Sequence, residues 1–389
     1  DAAVLRARRA HGLYQFACVR THALAHRHRQ PGRRSLVRTD GAHAGRRGMA
    51  EAQQHERPAA RFWRAHGYYQ AACRPAPTPR FRCRSCRRTF SSQTFRQDYR
   101  DRRPEVNVEL SVRLVSSTGY RQLARTLKMG VSAAQRKARK LAKHAGLLHQ
   151  NLCQRLPAGR TFVLDEEETY EHASIRTVTM PVVIEKDHWF LVAVDVGSIR
   201  RLAPVGTKRR DWQDRDEQKH GPRPDQSAAC VEAVLRALDQ KLGGERCVLR
   251  SDMKSSYATI AKAVFGDRVA HELTSGEAPR TTRNPLFVIN ATFAMSRDNC
   301  GRLRRKSWLV SKKKEFLLLH MQQFVVYRNY IRKRFNRDKE NKSSAVHLQL
   351  IPRSLTFADA TRWRQVWGTG SIHPLSIDGS RRIRDGLQA

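Results

Sequence analysis

Acids are scarce in this sequence. Its 389 residues carry 35 Asp+Glu against 75 Lys+Arg, a formal charge of +40. That excludes an acidic, solvating disordered chain. It makes nucleic acid the default partner, because a cationic surface releases the counterions condensed on a phosphate backbone. A generally basic protein of ribosomal type is the bland alternative. Long apolar runs are also missing. The longest, Trp189 to Val196 with Asp195 inside it, falls well short of the ~18 residues needed to span a membrane. The first thirty residues hold Arg and His but no apolar h-region, so no signal peptide is expected. Cysteine is sparse, eight in the chain and mostly unpaired in sequence, which argues against a secreted disulfide scaffold. These absences point to a cytoplasmic protein with no membrane partner. The length suggests roughly two or three domains, and a 40% hydrophobic content is enough to bury a core.

Lysine is absent before Lys128. Residues 1–48 hold eleven Arg and only two acids, Asp1 and Asp40, with no helical or strand period. Residues 1–50 are therefore expected to form a basic arm that is disordered or not native, arising from upstream or shifted-frame translation of a GC-rich gene. A DNA-tracking arm is the alternative.

Residues 51–104 are more organised. Arg80–Cys83 and Arg88–Ser91 read as two short strands flanking Cys83-Arg-Ser-Cys86. A C-x-x-C on a hairpin presents two thiolates to one tetrahedral metal, as in one knuckle of a zinc ribbon. The second knuckle is missing, so a partial ribbon holding zinc stands beside a degenerate ribbon and unrelated cysteines.

Residues 105–150 read as helices. Leu123, Ala124, Leu127, Val131, Ala134, Ala138 and Leu141 keep a helical period. A break at Gly130 and an N-cap at Ser132 separate two helices, the shape of a helix-turn-helix. Gln135, Arg136, Arg139 and Lys140 on the second helix, with Arg121 on the first, are the candidate DNA contacts. Any small helical hairpin is the alternative.

From residue 158 to 345 the pattern turns to strands and helices. Thr161–Asp165 reads as a buried strand ending in an acid. Pro181–Ile184 and Trp189–Asp195 form a hairpin, and Ala203–Val205 extends the meander. The charged stretch 207–226 reads as a loop, and 227–242 as an amphipathic helix. Cys247–Asp252 is a strand that again ends in an acid, followed by a helix through Tyr257, Ile260 and Val264. A three-strand meander, a helix and a strand follow the order of a ribonuclease-H-like domain. The fold expected is α/β: a ribonuclease-H-like catalytic domain preceded by a partial zinc-ribbon hairpin and a helical helix-turn-helix domain, with residues 346–389 as a C-terminal tail.

In that order the first and fourth strands lie side by side, so Asp165 and Asp252 would meet and share divalent metal, Mg²⁺ or Mn²⁺. The alternative for any one strand-end aspartate is a turn or cap residue. Asp195 is a second choice for the site. Glu166, Glu167 and Glu168 follow Asp165, and an adjacent metal would relieve their repulsion. Asn290 is the candidate third ligand. Asp298 lies about two turns further along the same helix, and Glu272 and Glu277 fall in a loop.

The order of these features resembles the bacterial insertion-sequence-one type of transposase, in the wider DDE group. The resemblance rests on the Arg80–Phe95 stretch, the helix-turn-helix, the two aspartates, and Arg302-Leu-Arg-Arg-Lys-Ser-Trp308-Leu-Val-Ser311-Lys312. It also rests on Trp363-Arg-Gln-Val-Trp367-Gly with His373-Pro374. It implies a metal-dependent enzyme of a mobile element that binds terminal inverted repeats, cleaves there and joins the ends to target DNA. It further implies a homo-oligomer on DNA, in the bacterial cytoplasm at the nucleoid. Asp165 and Asp252, in Ser-Asp-x-x-x-x-Tyr, match the family's two catalytic aspartates. Asn290 stands where the family has glutamate, which is a departure. Arg302, Arg305, Lys306 and Lys312 match a basic segment that contacts phosphates near the cleaved end. Two other readings stay open: an inactive DNA-binding remnant or helix-turn-helix regulator, and a nuclease with no joining step.

Overall fold

The computed structural model describes residues 63–364, apart from 85, 86, 95, 280 and 305–307. The chain divides into two compact units, one holding residues up to Asn107 and from Arg362 onward, the other Val108–Thr361. The arm expected over 1–50, Cys86, Arg305, Lys306, Trp367, His373 and Pro374 lie outside the described residues.

The described part of the first unit is an antiparallel meander of β1 (Trp63–Tyr69), β2 (Thr78–Cys83) and β3 (Thr89–Ser91). Three aromatic rings make its core. Trp63 meets Phe81 edge-on at 4.8 Å between centroids, and Phe81 lies 5.6 Å from Phe90. The two strands read from the sequence are present, with β1 added outside them. Cys83 closes β2 and is buried.

Three helices follow, α1 (Asn107–Leu114), α2 (Tyr120–Thr126) and α3 (Val131–Leu152), all but Asn107 in the second unit. Leu110, Leu114, Leu123, Ala124, Leu127, Ala134, Ala138 and Leu141 form their shared core. Two details of the sequence reading are corrected. Gly130, in extended conformation, is the N-cap of α3, and Ser132 lies inside the helix. Val131, at the very start of that helix, is exposed rather than packed.

The centre is a six-stranded mixed sheet built from β4 (Thr161–Tyr170), β5 (Thr177–Glu185), β6 (Phe190–Val194), β7 (Gly197–Ser198), β8 (Cys247–Asp252) and β9 (Val269–Thr274). The strand order is β6-β5-β4-β8-β9, with β7 beside β5. β4, β5 and β6 run antiparallel as a meander, and β8 and β9 join parallel. Every residue of β5 is buried, as expected of a strand covered on both faces. Helices α4 (Lys208–His220), α5 (Ser227–Leu242), α6 (Ser255–Phe265), α7 (Phe287–Asn299) and α8 (Lys314–Val326) complete the layers around it. On one face Val163, Met180, Val182 and Ile184 pack with Ile289 and Phe293 of α7 and Met321 and Phe324 of α8. Short helices α9 (Ser344–His347) and α10 (Phe357–Arg362) follow. No helix among the described residues is long and apolar enough to cross a membrane.

Four expectations for this region are overturned. The stretch 207–226 is not all loop, because α4 occupies most of it. Thr207 caps that helix by accepting from the Arg210 amide, and Gln213 is its one buried residue. Ala203–Val205 forms no strand, and the meander is extended by β7 instead. Glu272 lies on β9, ion-paired to Arg250 across the parallel ladder at 2.6 Å. Asp165 does not end its strand, because antiparallel pairing with β5 carries β4 five residues further, to Tyr170.

Candidate active site

The parallel ladder between β4 and β8 has three registered pairs, Thr161↔Val248, Phe162↔Leu249 and Val163↔Arg250. Two residues beyond the last pair the two strands reach Asp165 and Asp252. Side chains alternate along a strand, so both aspartates project from the face that carries Val163. Each carboxylate is oriented by a nearby amide. Glu166 N–H donates to Asp165 Oδ1 at 2.7 Å, and Lys254 N–H donates to Asp252 Oδ1 at 3.1 Å.

The surrounding charges separate these two acids from the rest. Glu166 is paired with Lys254, Glu167 with Arg297 of α7 at 2.6 Å, and Glu168 with Arg201. Three cations from three different segments thus neutralise the three glutamates. This replaces the expectation that a metal relieves their repulsion. Neither Asp165 nor Asp252 has an ion-pair partner among the described residues. Asp165 consequently has its pKa pushed up to about 7, by burial first and then by the charges of Asp252, Glu166 and Glu167, with the Glu166 amide opposing. Asp195, the second choice, lies outside the two strands that carry the pair. It follows β6, two strands away, and accepts from its neighbour's amide.

Glu166 projects from the opposite face of the sheet. Its carboxylate receives the Lys254 ammonium and the hydroxyls of Thr179 at 2.7 Å, Ser227 at 2.8 Å and Tyr257 at 2.8 Å. Burial raises the Glu166 pKa, but these four donors outweigh it and hold the group below the usual carboxylate range. Reading along the chain did not find this cluster, since its members are 13 to 91 residues from Glu166. The one available signal was Lys254 and Tyr257 following Ser251-Asp252.

Asn290 lies on α7, half-buried, seven residues before Arg297. Seven residues is about two helical turns, so Asn290 shares the side of the helix that Arg297 turns toward β4. Asp298, on the same helix, is exposed. Among the described residues no group of three or more His, Cys, Asp or Glu side chains is arranged to hold a metal ion. The acidic donors at this place are the two aspartates alone.

The candidate DNA contacts are scattered over the second unit. Arg121, Gln135, Arg136 and Arg139 are exposed on α2 and α3, and Lys140 is half-buried. The Arg139 guanidinium lies over the Phe316 ring at 5.3 Å. Lys312 is exposed. Arg302 is engaged internally. It donates to His320 Nδ1 and to Ser311 Oγ, each at 3.2 Å, and stacks on Tyr120 at 4.8 Å. His320 in turn donates from Nε2 to the Leu114 carbonyl at 2.7 Å. The chain matches no family model and no curated protein sequence.

Proposed function

We propose that this chain is a metal-dependent DNA transposase of the DDE type with a ribonuclease-H-like catalytic domain. The observation that carries the reading is the pair Asp165 and Asp252, side by side on parallel strands and left without a cation while every neighbouring glutamate has one. The strand order supports the fold assignment: an antiparallel meander whose first strand is joined by two parallel strands. The +40 charge supports a nucleic-acid substrate, and the exposed Gln135, Arg136 and Arg139 on α3 support duplex binding by the helix-turn-helix.

The donor chemistry fits a hard divalent cation. Burial and the nearby Asp252 charge disfavour the Asp165 carboxylate unless it is protonated or bridged by a cation. Mg²⁺ is commonly held by one or two carboxylates, with water and substrate phosphate completing its shell. Asp165 and Asp252 would hold Mg²⁺ or Mn²⁺, with the Asn290 amide oxygen as a candidate third donor. When bound, such ions supply charge neutralisation at a phosphodiester and activation of the attacking oxygen. The protein's own part is to present the two carboxylates from one face, orient each with a backbone amide, and keep the glutamates from competing by pairing each with a cation. Arg121, Arg136, Arg139, Lys140 and Lys312, with Arg305 and Lys306, are the residues proposed to hold phosphates. Zinc at Cys83 and Cys86 is a separate proposal, and zinc content per chain tests it.

A second reading has its own observation. Asn290 brings no charge, and the described residues contain no third acid at the pair. A chain that binds element ends without cutting them would look like this. Purified protein incubated with labelled element-end DNA and Mg²⁺ or Mn²⁺ separates the readings. Nicking and strand transfer that Asp252→Ala abolishes support the transposase, and binding without cleavage supports the remnant. Cleavage without joining favours a nuclease.

A further inference from the structure

The ladder between β4 and β8 ends before it reaches the aspartates. Its last registered pair is Val163↔Arg250, whereas β4 stays paired to β5 as far as Tyr170, and β8 stays paired to β9 as far as Asp252. Both strands are thus supported from outside while the pairing between them has stopped. Backbone hydrogen bonds do not set the separation of Asp165 from Asp252. Something else must.

Besides the Tyr257 hydroxyl, which also reaches Glu166, what crosses the gap is the Lys254 side chain. It leaves the chain two residues after Asp252 and reaches the carboxylate of Glu166, the residue after Asp165. It is held there by Ser227 Oγ, which accepts from it at 2.9 Å, and lies over the Tyr257 ring at 5.2 Å. Glu166 and Lys254 are also the residues whose amides orient the two aspartates. Each member of the ion pair therefore grips one aspartate through its backbone and its partner through its side chain. The Glu166 side chain is 8% exposed and that of Lys254 31%, so the pair is screened less than a surface salt bridge.

We propose that Lys254 is a positioning residue: its ammonium, holding the Glu166 carboxylate, clamps β8 to β4 beyond the end of their backbone ladder and fixes the separation of Asp165 and Asp252. It acts on the far face of the sheet and touches no reacting atom. The proposal deepens the two-aspartate reading above. Its importance follows from geometry, since carboxylates that share one ligand must keep their spacing to within about half an ångström.

Amide hydrogen exchange on the full chain tests this without any ligand. Lys254→Met and Glu166→Gln are expected to speed exchange at the Glu166 and Lys254 amides by roughly tenfold or more. Tm should fall, because the Glu166 carboxylate loses its cation, while exchange in α5 beyond its first turn stays unchanged and Lys254→Arg restores slow exchange. Unchanged exchange at these two amides in Lys254→Met would overturn the proposal. So would acceleration spread evenly over the sheet, or Lys254→Arg behaving as Lys254→Met. Mn²⁺ titration followed by electron paramagnetic resonance is the second readout. If wild type binds Mn²⁺, Lys254→Met is expected to weaken it by about 10–100-fold, as loss of a supporting partner does, and unchanged affinity would count against the clamp. If wild type binds none, the metal reading fails, while the exchange result still decides the clamp.

Discussion

Asp165 and Asp252 stand on neighbouring parallel strands, two residues past their last shared rung, and each is the other's unneutralised neighbour. In a chain of charge +40 that is a selective outcome. Cations reach Glu166, Glu167 and Glu168, and stop short of the two aspartates.

The fold bears a cost for this arrangement, and Asp165→Asn should reveal it. An ordinary Asp titrates near 3.8, whereas Asp165 in the folded protein titrates near 7. Between these values the folded state binds the extra proton, so the group's contribution to stability falls as pH rises from about 4 to about 7. The variant is expected to be more stable than wild type at pH 8 by about 1–3 kcal/mol, with little difference at pH 4. Urea unfolding at the two pH values measures this. A variant less stable than wild type at pH 8 would contradict it.

The opposite sign holds for the buried histidines. Burial lowers the pKa of His320 to about 4, helped by the Arg302 charge and opposed by the Leu114 carbonyl. Burial lowers that of His149 to about 3. The unfolded state therefore takes up protons first, and stability falls as pH drops from about 6.5 toward 4. Replacing His320 with Gln removes its share of that slope while lowering stability near neutrality, because the bonds to Arg302 and Leu114 are disturbed. Thermal melts at pH 4.5 and 7.5 compare the two proteins.

Arg297 is expected to matter more to stability than a surface cation. Both oxygens of the buried Glu167 accept from its Nη1 at 2.6 Å. Arg297→Met leaves that carboxylate buried and unpaired, a loss on the order of 3–5 kcal/mol. Arg297→Met with Glu167→Gln should recover much of it. Chemical denaturation of the single and double variants checks this, and an additive pair would refute the coupling.

Leu309 is a peg between two glycines. A Cβ at Gly119 would fall 2.6 Å from Leu309 Cδ2 and 2.7 Å from Gln122 Oε1, and one at Gly301 would fall 2.8 Å from Leu309 Cδ1 and from the Ser117 carbonyl. Gly119→Ala should cost about 1–3 kcal/mol by overpacking. Combined with Leu309→Ala, its added cost should shrink, because the leucine it strikes is gone and only the Gln122 side chain has to move. The same rescue should fail for Gly301→Ala, where the backbone oxygen remains.

Local patterns in the sequence carried much of this architecture. The period from Leu123 to Leu141, the apolar stripe of α5 and the run Cys247–Asp252 each gave their element directly, since each has a face that must be buried. α4 was hidden because its sequence has no apolar face. It is held by ion pairs such as Arg210–Asp214 and Arg176–Asp216 and by one buried Gln213. β9, at the sheet edge and largely exposed, reads Val-Ala-His-Glu-Leu-Thr and lacks a clean alternation. At the site, the two aspartates were visible as acids following apolar strands. Their distinction from Glu166, Glu167 and Glu168 was not, because it depends on Lys254, Arg297 and Arg201 arriving from elsewhere in the chain.

In the proposed function Asp165 and Asp252 hold one divalent cation between them. Iron-directed backbone cleavage tests it most directly. Fe²⁺ replaces Mg²⁺ in the full-length protein, and hydroxyl radicals generated by ascorbate and peroxide cut the chain beside the bound ion. Two cuts are expected, one near residue 165 and one near residue 252, both competed by Mg²⁺ and both lost together in Asp252→Asn. Cutting at neither place, or at one place with indifference to Asp252→Asn, would contradict it.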